Sequence, residues 1–384
     1  MPKTMHVCIP SGYLLGNLIP ALQLRPDKVV VLTTPKMRDA ALRFEALCTH
    51  HGIACETPPF PESGFRDQLA AAAALAEHWK PWAATGNTVR INVTGGTKTM
   101  TLALAVGTSE LKTRSFYCNT ENGVLEDIDT HANAAVVSIE DVVDLETFLA
   151  AQRLVIVGET RTESLANQKR RDDRAELTIK LVNAAAYNPI LIKELNWWCN
   201  YPECGPTGLG ARLSGATVLV DLMQGLAAAG LAEQSSTTGC WRLLTHADEY
   251  LHQSGWLEEF CELMAISAGL TKTMCGVKVK ETRGGDIQRM PAYPDDKDYE
   301  FDVLGMWKNR MLFIECKAKT LLTEDLRQCD SGARKAVGLF GQKLFVCTGA
   351  VGPVARERAK NLDFRVIGGH EVLTLEKTIK TWMG

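Results

Sequence analysis

No stretch of this 384-residue chain is both long and apolar enough to read as a membrane span. The longest apolar run, "DQLAAAAALAEHW", is short, rich in alanine and flanked by charge. The opening "MPKTMHVCIP" leads directly into a β-branched stretch without a signal-peptide core, so a cytoplasmic protein is expected. Twelve cysteines are scattered and never form a C-x-x-C pair. The tightest group, Cys199 and Cys204 in "WWCNYPECG" with Cys240 and His246 beyond, lacks the second pair of a zinc site. Reduced, buried thiols are the expectation. A large excess of basic charge is also missing, since the formal net charge is −3. Contact with a phosphate backbone would therefore depend on a local patch, and residues 253–384, with 20 basic and 18 acidic side chains, are a better place for one than residues 1–150, with 12 and 16.

What is present fits two or three soluble α/β domains. In residues 1–150 short β-rich runs ("MHVCIP", "KVVVLTT", "VRINVT", "RSFYCNT") alternate with amphipathic stretches ("GNLIPALQL", "KMRDAALRFEALCTHHG", "FRDQLAAAAALAEHW", "KTMTLALAVGTSELK"). Such alternation predicts a mostly parallel, doubly wound, Rossmann-like sheet whose ligands collect beyond the carboxyl ends of the strands. Residues 151–165 read as a connector, and the charged run "QKRRDDR" after it as a solvated helix start. Over 165–252, helical stretches followed by "AEQSSTTGCWRLLT", a ribbon with a Ser/Thr/Gly turn, suggest a winged-helix-like segment that joins domains or binds DNA. Residues 253–384 return to α/β.

Two loops stand out, "PSGYLLGN" after the first strand and "TGGTK" after "VRINV". The second lacks both the Walker A spacing and the G-x-G-x-x-G fingerprint. Adjacent glycines would still let backbone amides approach a ligand, and the following helix would offer its N-terminal N–H groups. With hydroxyls from Thr94, Thr97 and Thr99 and a cation from Lys98, this is an anion site with no acidic residue to hold Mg²⁺. A ligand-free strand–helix turn would look much the same.

The strongest chemical signal is "YEFDVLGMWKNRMLFIECKAKT". If two strands fold back around Lys308–Asn309, positions summing to 617 face each other, and Asp302 meets Glu315 with Cβ atoms roughly 4.5–5.5 Å apart. Lys317 then shares the Glu315 face while Cys316 points away. Two carboxylates that close repel unless a proton or a cation lies between them. A hard divalent ion, Mg²⁺ or Mn²⁺, satisfies the pair, and Lys317 would orient a water or neutralise charge developing on phosphorus. Upstream, "GWLEEFCELM" is helical, and Glu258 or Glu259 is placed to add a ligand. Arg334 and Lys335 are candidate phosphate contacts or plain surface charges.

"FDVL", "ECK" and the preceding "GWLEEF" resemble the PD-(D/E)xK restriction-endonuclease-like superfamily, although Phe301 stands where that pattern has its proline. "INVTGGTKTM" after a Rossmann-like start resembles the ligand loop of CARF domains. Together, over nearly the whole chain, they resemble CARF–nuclease effectors of type III CRISPR systems. The resemblance implies a homodimer that binds a cyclic oligoadenylate, cyclic tetra-adenylate, through Ser11, Gly12, Asn17, Thr33, Thr34, Thr94, Gly95, Gly96, Thr97 and Lys98. It also implies metal-dependent cleavage of RNA or DNA by Asp302, Glu315, Lys317 and Glu258, with Asp302, Glu315 and Glu258 as metal ligands. The alternative is a ligand-controlled regulator whose winged helix reads DNA above an inactive nuclease fold.

Overall fold

A computed structural model describes residues 2–111, 113–128, 135–188, 190–192, 195, 216–234, 236, 241–244, 247–251, 254–291 and 299–384. No described helix is long and apolar enough to cross a membrane. Cys199, Cys204, Cys240 and His246 lie outside the described residues.

The first strand, β1 (Thr4–Cys8), occupies the middle of a seven-stranded sheet of order β3-β2-β1-β4-β5-β6-β7. Here β2 is Lys28–Val31, β3 Ala54–Glu56, β4 Thr88–Asn92, β5 Arg114–Asn119, β6 Val124–Asp127 and β7 Val136–Ser138. Pairing is parallel from β3 across to β5 and antiparallel from β5 to β7. Strands β1 and β2 are almost wholly buried because helices cover both faces. Those helices are α1 (Leu15–Leu24), α2 (Arg38–His50), α3 (Phe65–Ala84) and α4 (Lys98–Gly107). The chain winds outward from β1 through β2 to β3, then returns to β4 on the other side of β1. The β1–β4 crevice is thus the switch point of a doubly wound sheet, the expected Rossmann-like order. Strands β3, β6 and β7 were not legible in advance.

Helix α5 (Leu145–Ala151) leads into β8 (Leu154–Ile156). This corrects the reading of 151–165 as a connector: β8 is the edge strand of a second, six-stranded sheet of order β15-β14-β13-β12-β11-β8. Then come α6 (Leu165–Asp173), α7 (Ala175–Tyr187), α8 (Ala216–Ala228), an antiparallel ribbon of β9 (Ala232–Gln234) and β10 (Trp241–Leu243), and α9 (Ala247–Leu251). The second sheet resumes after α10 (Gly255–Ala268) with β11 (Lys272–Glu281), β12 (Tyr299–Trp307) and β13 (Arg310–Lys317), all antiparallel. Helix α11 (Thr323–Val337), β14 (Gln342–Cys347), α12 (Pro353–Asn361), β15 (Phe364–Gly368) and α13 (Leu375–Met383) complete it, with β14 and β15 parallel to β13.

The two sheets share an apolar core that includes Leu15 and Leu18 of α1, Phe148 of α5, and Phe313 and Phe345 of the second sheet. The β12–β13 turn secures the junction. Lys308 and Asn309 have φ of 47° and 58°, the conformation a two-residue hairpin requires. Asn309 Oδ1 accepts from the backbone N–H groups of Val142 (3.0 Å) and Val143 (2.9 Å), and its Nδ2 donates to the Glu140 carbonyl (2.7 Å).

Candidate functional site

Two centres emerge, one at each sheet. At the first, the loops after β1 and β4 are locked together. Asn17 is buried and donates through Nδ2 to the Ile9 carbonyl (2.9 Å), while Asn92 donates to the Gly16 carbonyl (3.0 Å) and accepts from Thr94 N (3.0 Å). Thr94 Oγ1 accepts from Cys118 N (2.7 Å), tying the loop to β5. A Cβ on Gly95 would lie 2.1 Å from the Ile9 carbonyl oxygen, so only glycine lets the two strand ends approach this closely. Gly96 has φ of +82°, which glycine adopts without strain. Thr97 then caps α4, its Oγ1 accepting from Met100 N (3.3 Å).

The ten residues expected to bind ligand therefore fall into two groups. Gly12, Gly96, Thr97 and Lys98 are exposed on the rim, with Ser11, Thr33 and Thr94 half-buried beside them. Asn17, Thr34 and Gly95 are buried beneath. Lys98 has no ion-pair partner among the described residues, and the first turn of α4 contains no acid. Rim cations and open N–H groups at a helix start suit an anion. Between the two rim loops and the second sheet, Tyr13 packs edge-on against Phe340 with ring centroids 5.6 Å apart.

At the second centre the hairpin register runs from Trp307↔Arg310 to Val303↔Ile314, each pair summing to 617. Beyond its last pair Asp302 Oδ2 accepts from Cys316 N (2.6 Å), the residue next to Glu315. Glu315 is buried, and Lys317 Nζ lies 2.8 Å from its Oε1. Cys316 points the other way, its sulfur 3.5 Å from that of Cys261 on α10. Burial, with the Asp302 charge adding to it, pushes the Glu315 carboxyl up to about 7. Asp302 is raised by burial too, against the pull of Lys317. Burial alone would lower Lys317, but the two carboxylates outweigh it and hold the ammonium charged.

On β11, Cys275↔Val303 and Val277↔Phe301 place Gly276 opposite Asp302. Around this point the sheet turns over. Cys275 and Val303 pack with α10, whereas Val277 and Phe301, two residues along, pack on the α11 side. Period-2 alternation forbids that in a regular strand, and the φ of +62° at Gly276 marks where it breaks. A cleft of about 600 Å³ opens here, with Arg161, Arg174, Gly276, Lys278 and Glu300 in its walls.

Helix α10 buries three glutamates, each paired with an arginine from residues 161–174. Glu258 meets Arg161 (2.6 Å), Glu262 meets Arg171 (3.0 Å), and Glu259 takes a two-pronged contact from Arg174, with Nε at 2.8 Å. The run "QKRRDDR" is thus not simply a solvated helix start: Lys169 and Asp173 are exposed, but Arg171 is buried and Arg174 half-buried. Of the two glutamates left open by the sequence, Glu258 is raised by burial and by the Asp302 charge. Glu259 is bound by Arg174.

Among the described residues no three His, Cys, Asp or Glu side chains converge as a metal cage. Asp302 and Glu315 nevertheless supply two hard oxygen donors of the kind Mg²⁺ or Mn²⁺ takes, leaving water and substrate to complete the shell. The donor chemistry fits.

With both centres in view, the chain can be set beside known structures. The whole chain shares their fold. It matches the protein VC1899 from Vibrio cholerae at a TM-score of 0.81 and 16% identity, over 99% of this chain and 98% of that one. It matches Can2 from Sulfobacillus thermosulfidooxidans, solved in complex with cyclic tetra-adenylate, at 0.75 and 18% over 99% of both chains. A type III CRISPR defence DNA nuclease activated by cyclic oligoadenylate matches at 0.56 and 14%, over 96% of this chain and 48% of that one. No protein-family model and no curated protein matches the chain. At such identities the likeness is one of fold.

Sequence reasoning missed Arg161, Arg171 and Arg174. A signal was there: three glutamates within five positions of an otherwise apolar helix, more than one exposed face can hold.

Proposed function

We propose that this protein is a metal-dependent nuclease switched on by a cyclic oligoadenylate, cyclic tetra-adenylate, in type III CRISPR antiviral defence. The observation that carries the reading is the pairing, in one fold, of an anion-ready loop at the β1–β4 switch point with Asp302, Glu315 and Lys317 at the end of a buried hairpin. The likeness of fold to Can2 along the whole chain supports it.

Residues 1–150 form the sensing CARF domain, where the activator's phosphates lie against Gly96, Thr97 and Lys98 while buried Asn17 and Gly95 hold the loops in place. Ser11, Gly12, Thr33, Thr34 and Thr94 complete the rim and its support. Two such domains meet in a homodimer around one ring. Residues 165–252 are a winged-helix-like joint, supported by the order of α7, α8 and the β9–β10 ribbon. Residues 253–384 are the PD-(D/E)xK nuclease, supported by the order α10, three antiparallel strands, α11 and β14.

Asp302 and Glu315 would hold a divalent cation, which would supply Lewis acidity toward the scissile phosphate. Lys317, kept charged by both carboxylates, orients the attacking water and offsets charge developing on the phosphoryl oxygens. Glu258 lies behind Asp302 as the helix-borne acid.

The test is incubation of the purified protein with labelled RNA and DNA, with and without cyclic tetra-adenylate and Mn²⁺. Cleavage is expected only with both present, and no cleavage in any combination refutes the proposal. Lys98→Ala should weaken activator binding and so raise the cyclic tetra-adenylate concentration needed for cleavage.

A further inference from the structure

We propose that Arg161 is a positioning residue for the carboxylate centre: it holds Glu258 beside Asp302 and, by offsetting one negative charge, sets how strongly the centre attracts a divalent cation. The inference rests on the metal-dependent reading above.

Arg161 arrives along the β8 side of β11. After β8 the chain runs along β11, with Val157 N donating to the Lys278 carbonyl (2.8 Å) and Arg161 N to the Cys275 carbonyl (2.8 Å). Its side chain then crosses the strand at Gly276, the residue opposite Asp302. A Cβ on Gly276 would stand 3.1 Å from Arg161 Cβ and 3.2 Å from its Nε, tighter than ordinary contact. The glycine therefore opens the passage as well as breaking the strand. Beyond it Nη1 meets Glu258 Oε2 at 2.6 Å. Nε lies 3.5 Å from Glu249 Oε1, but that carboxylate is 65% exposed and well screened.

The charges can be counted. Glu258 and Glu315 each lie within electrostatic reach of Asp302, and with all three ionised, the state a dication takes, they count as three negative charges. Two cations, Arg161 and Lys317, face them, leaving one net negative charge. Nearby Asp325 is already paired with Lys319 (2.8 Å), and Glu300 is exposed at the cleft mouth. Loss of the guanidinium would leave two net negative charges, and a dication would bind more tightly. A merely structural arginine gives the opposite expectation, because a loosened site binds metal no better.

The experiment is Mn²⁺ titration of the full-length protein by isothermal titration calorimetry, without substrate or activator. Arg161→Met, which keeps the stem's packing, and Arg161→Ala should each bind Mn²⁺ about tenfold more tightly than wild type. Arg161→Lys should stay near wild type. Circular dichroism and thermal unfolding identify the folded variants, and Glu258→Gln should shift the affinity the other way should neither uncharged Arg161 variant fold. Unchanged or weaker Mn²⁺ binding by a folded Arg161→Met or Arg161→Ala protein overturns the proposal, as does unchanged or tighter binding by Glu258→Gln. Absence of any Mn²⁺ uptake by the wild type would remove the metal-dependent reading itself.

Discussion

Adding one methyl group at Gly95 should damage the ligand loop more than removing Lys98. That Cβ would stand 2.1 Å from the Ile9 carbonyl oxygen and 2.9 Å from Asn17 Nδ2. Comfortable contact is about 3.5–4.0 Å, so the loop would have to retreat by more than about 1 Å. Neither neighbour can easily yield, because one is backbone at the end of β1 and the other is buried and bonded to that same carbonyl. Overpacking costs about 1–3 kcal/mol and the lost buried hydrogen bond about 1 kcal/mol more, together about 2–4 kcal/mol. For a chain of this size that corresponds to a fall in Tm of roughly 3–5 °C. Gly12→Ala is the control. Nothing lies within 4 Å of its added Cβ, so its Tm should stay within about 2 °C of wild type. Thermal unfolding by circular dichroism measures the first quantity, and calorimetry with cyclic tetra-adenylate shows whether the distorted loop still binds. A Gly95→Ala protein that melts and binds as wild type does would refute this account of how the loops are held.

Three further outcomes follow from the same geometry. Glu315→Gln should abolish cleavage without lowering Tm, since burial already pushes this carboxyl up to about 7 and the amide removes a buried charge; gel assays and thermal unfolding check both halves. Asn309→Ala should cost about 2–4 kcal/mol in urea unfolding, because three hydrogen bonds to residues 140–143 are lost and alanine tolerates the turn's φ poorly. Finally, burial, with Arg90 adding, lowers His6 to about 3. Its unfolded form takes up a proton below about 6.5 and its folded form does not, so stability is full above that pH. It should fall by at most about 1.4 kcal/mol per pH unit as pH drops from about 6.5 toward 3, and His6→Leu should flatten that limb.

Much of the fold was legible because it is written in local periodicity. The alternation in residues 1–150 predicted β1, β2, β4, β5 and the four helices, since burial on both faces demands continuous apolar runs. The hairpin register from Trp307↔Arg310 to Val303↔Ile314 was equally local, because a two-residue turn and a period of two leave one pairing. Sequence by itself thus determined the alternation, the glycine loop and the register of the hairpin that carries Asp302 and Glu315. Only the tertiary structure decided that Leu154–Ile156 belongs to the second sheet, that Gly95 is wedged while Gly12 is free, and that Asn309 pins one half of the chain to the other. It also decided which arginine answers which glutamate across as many as 97 residues. Periodicity and turn chemistry act between neighbours in sequence. A buried charge is satisfied by whatever packing brings within about 3 Å, and no local pattern encodes that partner.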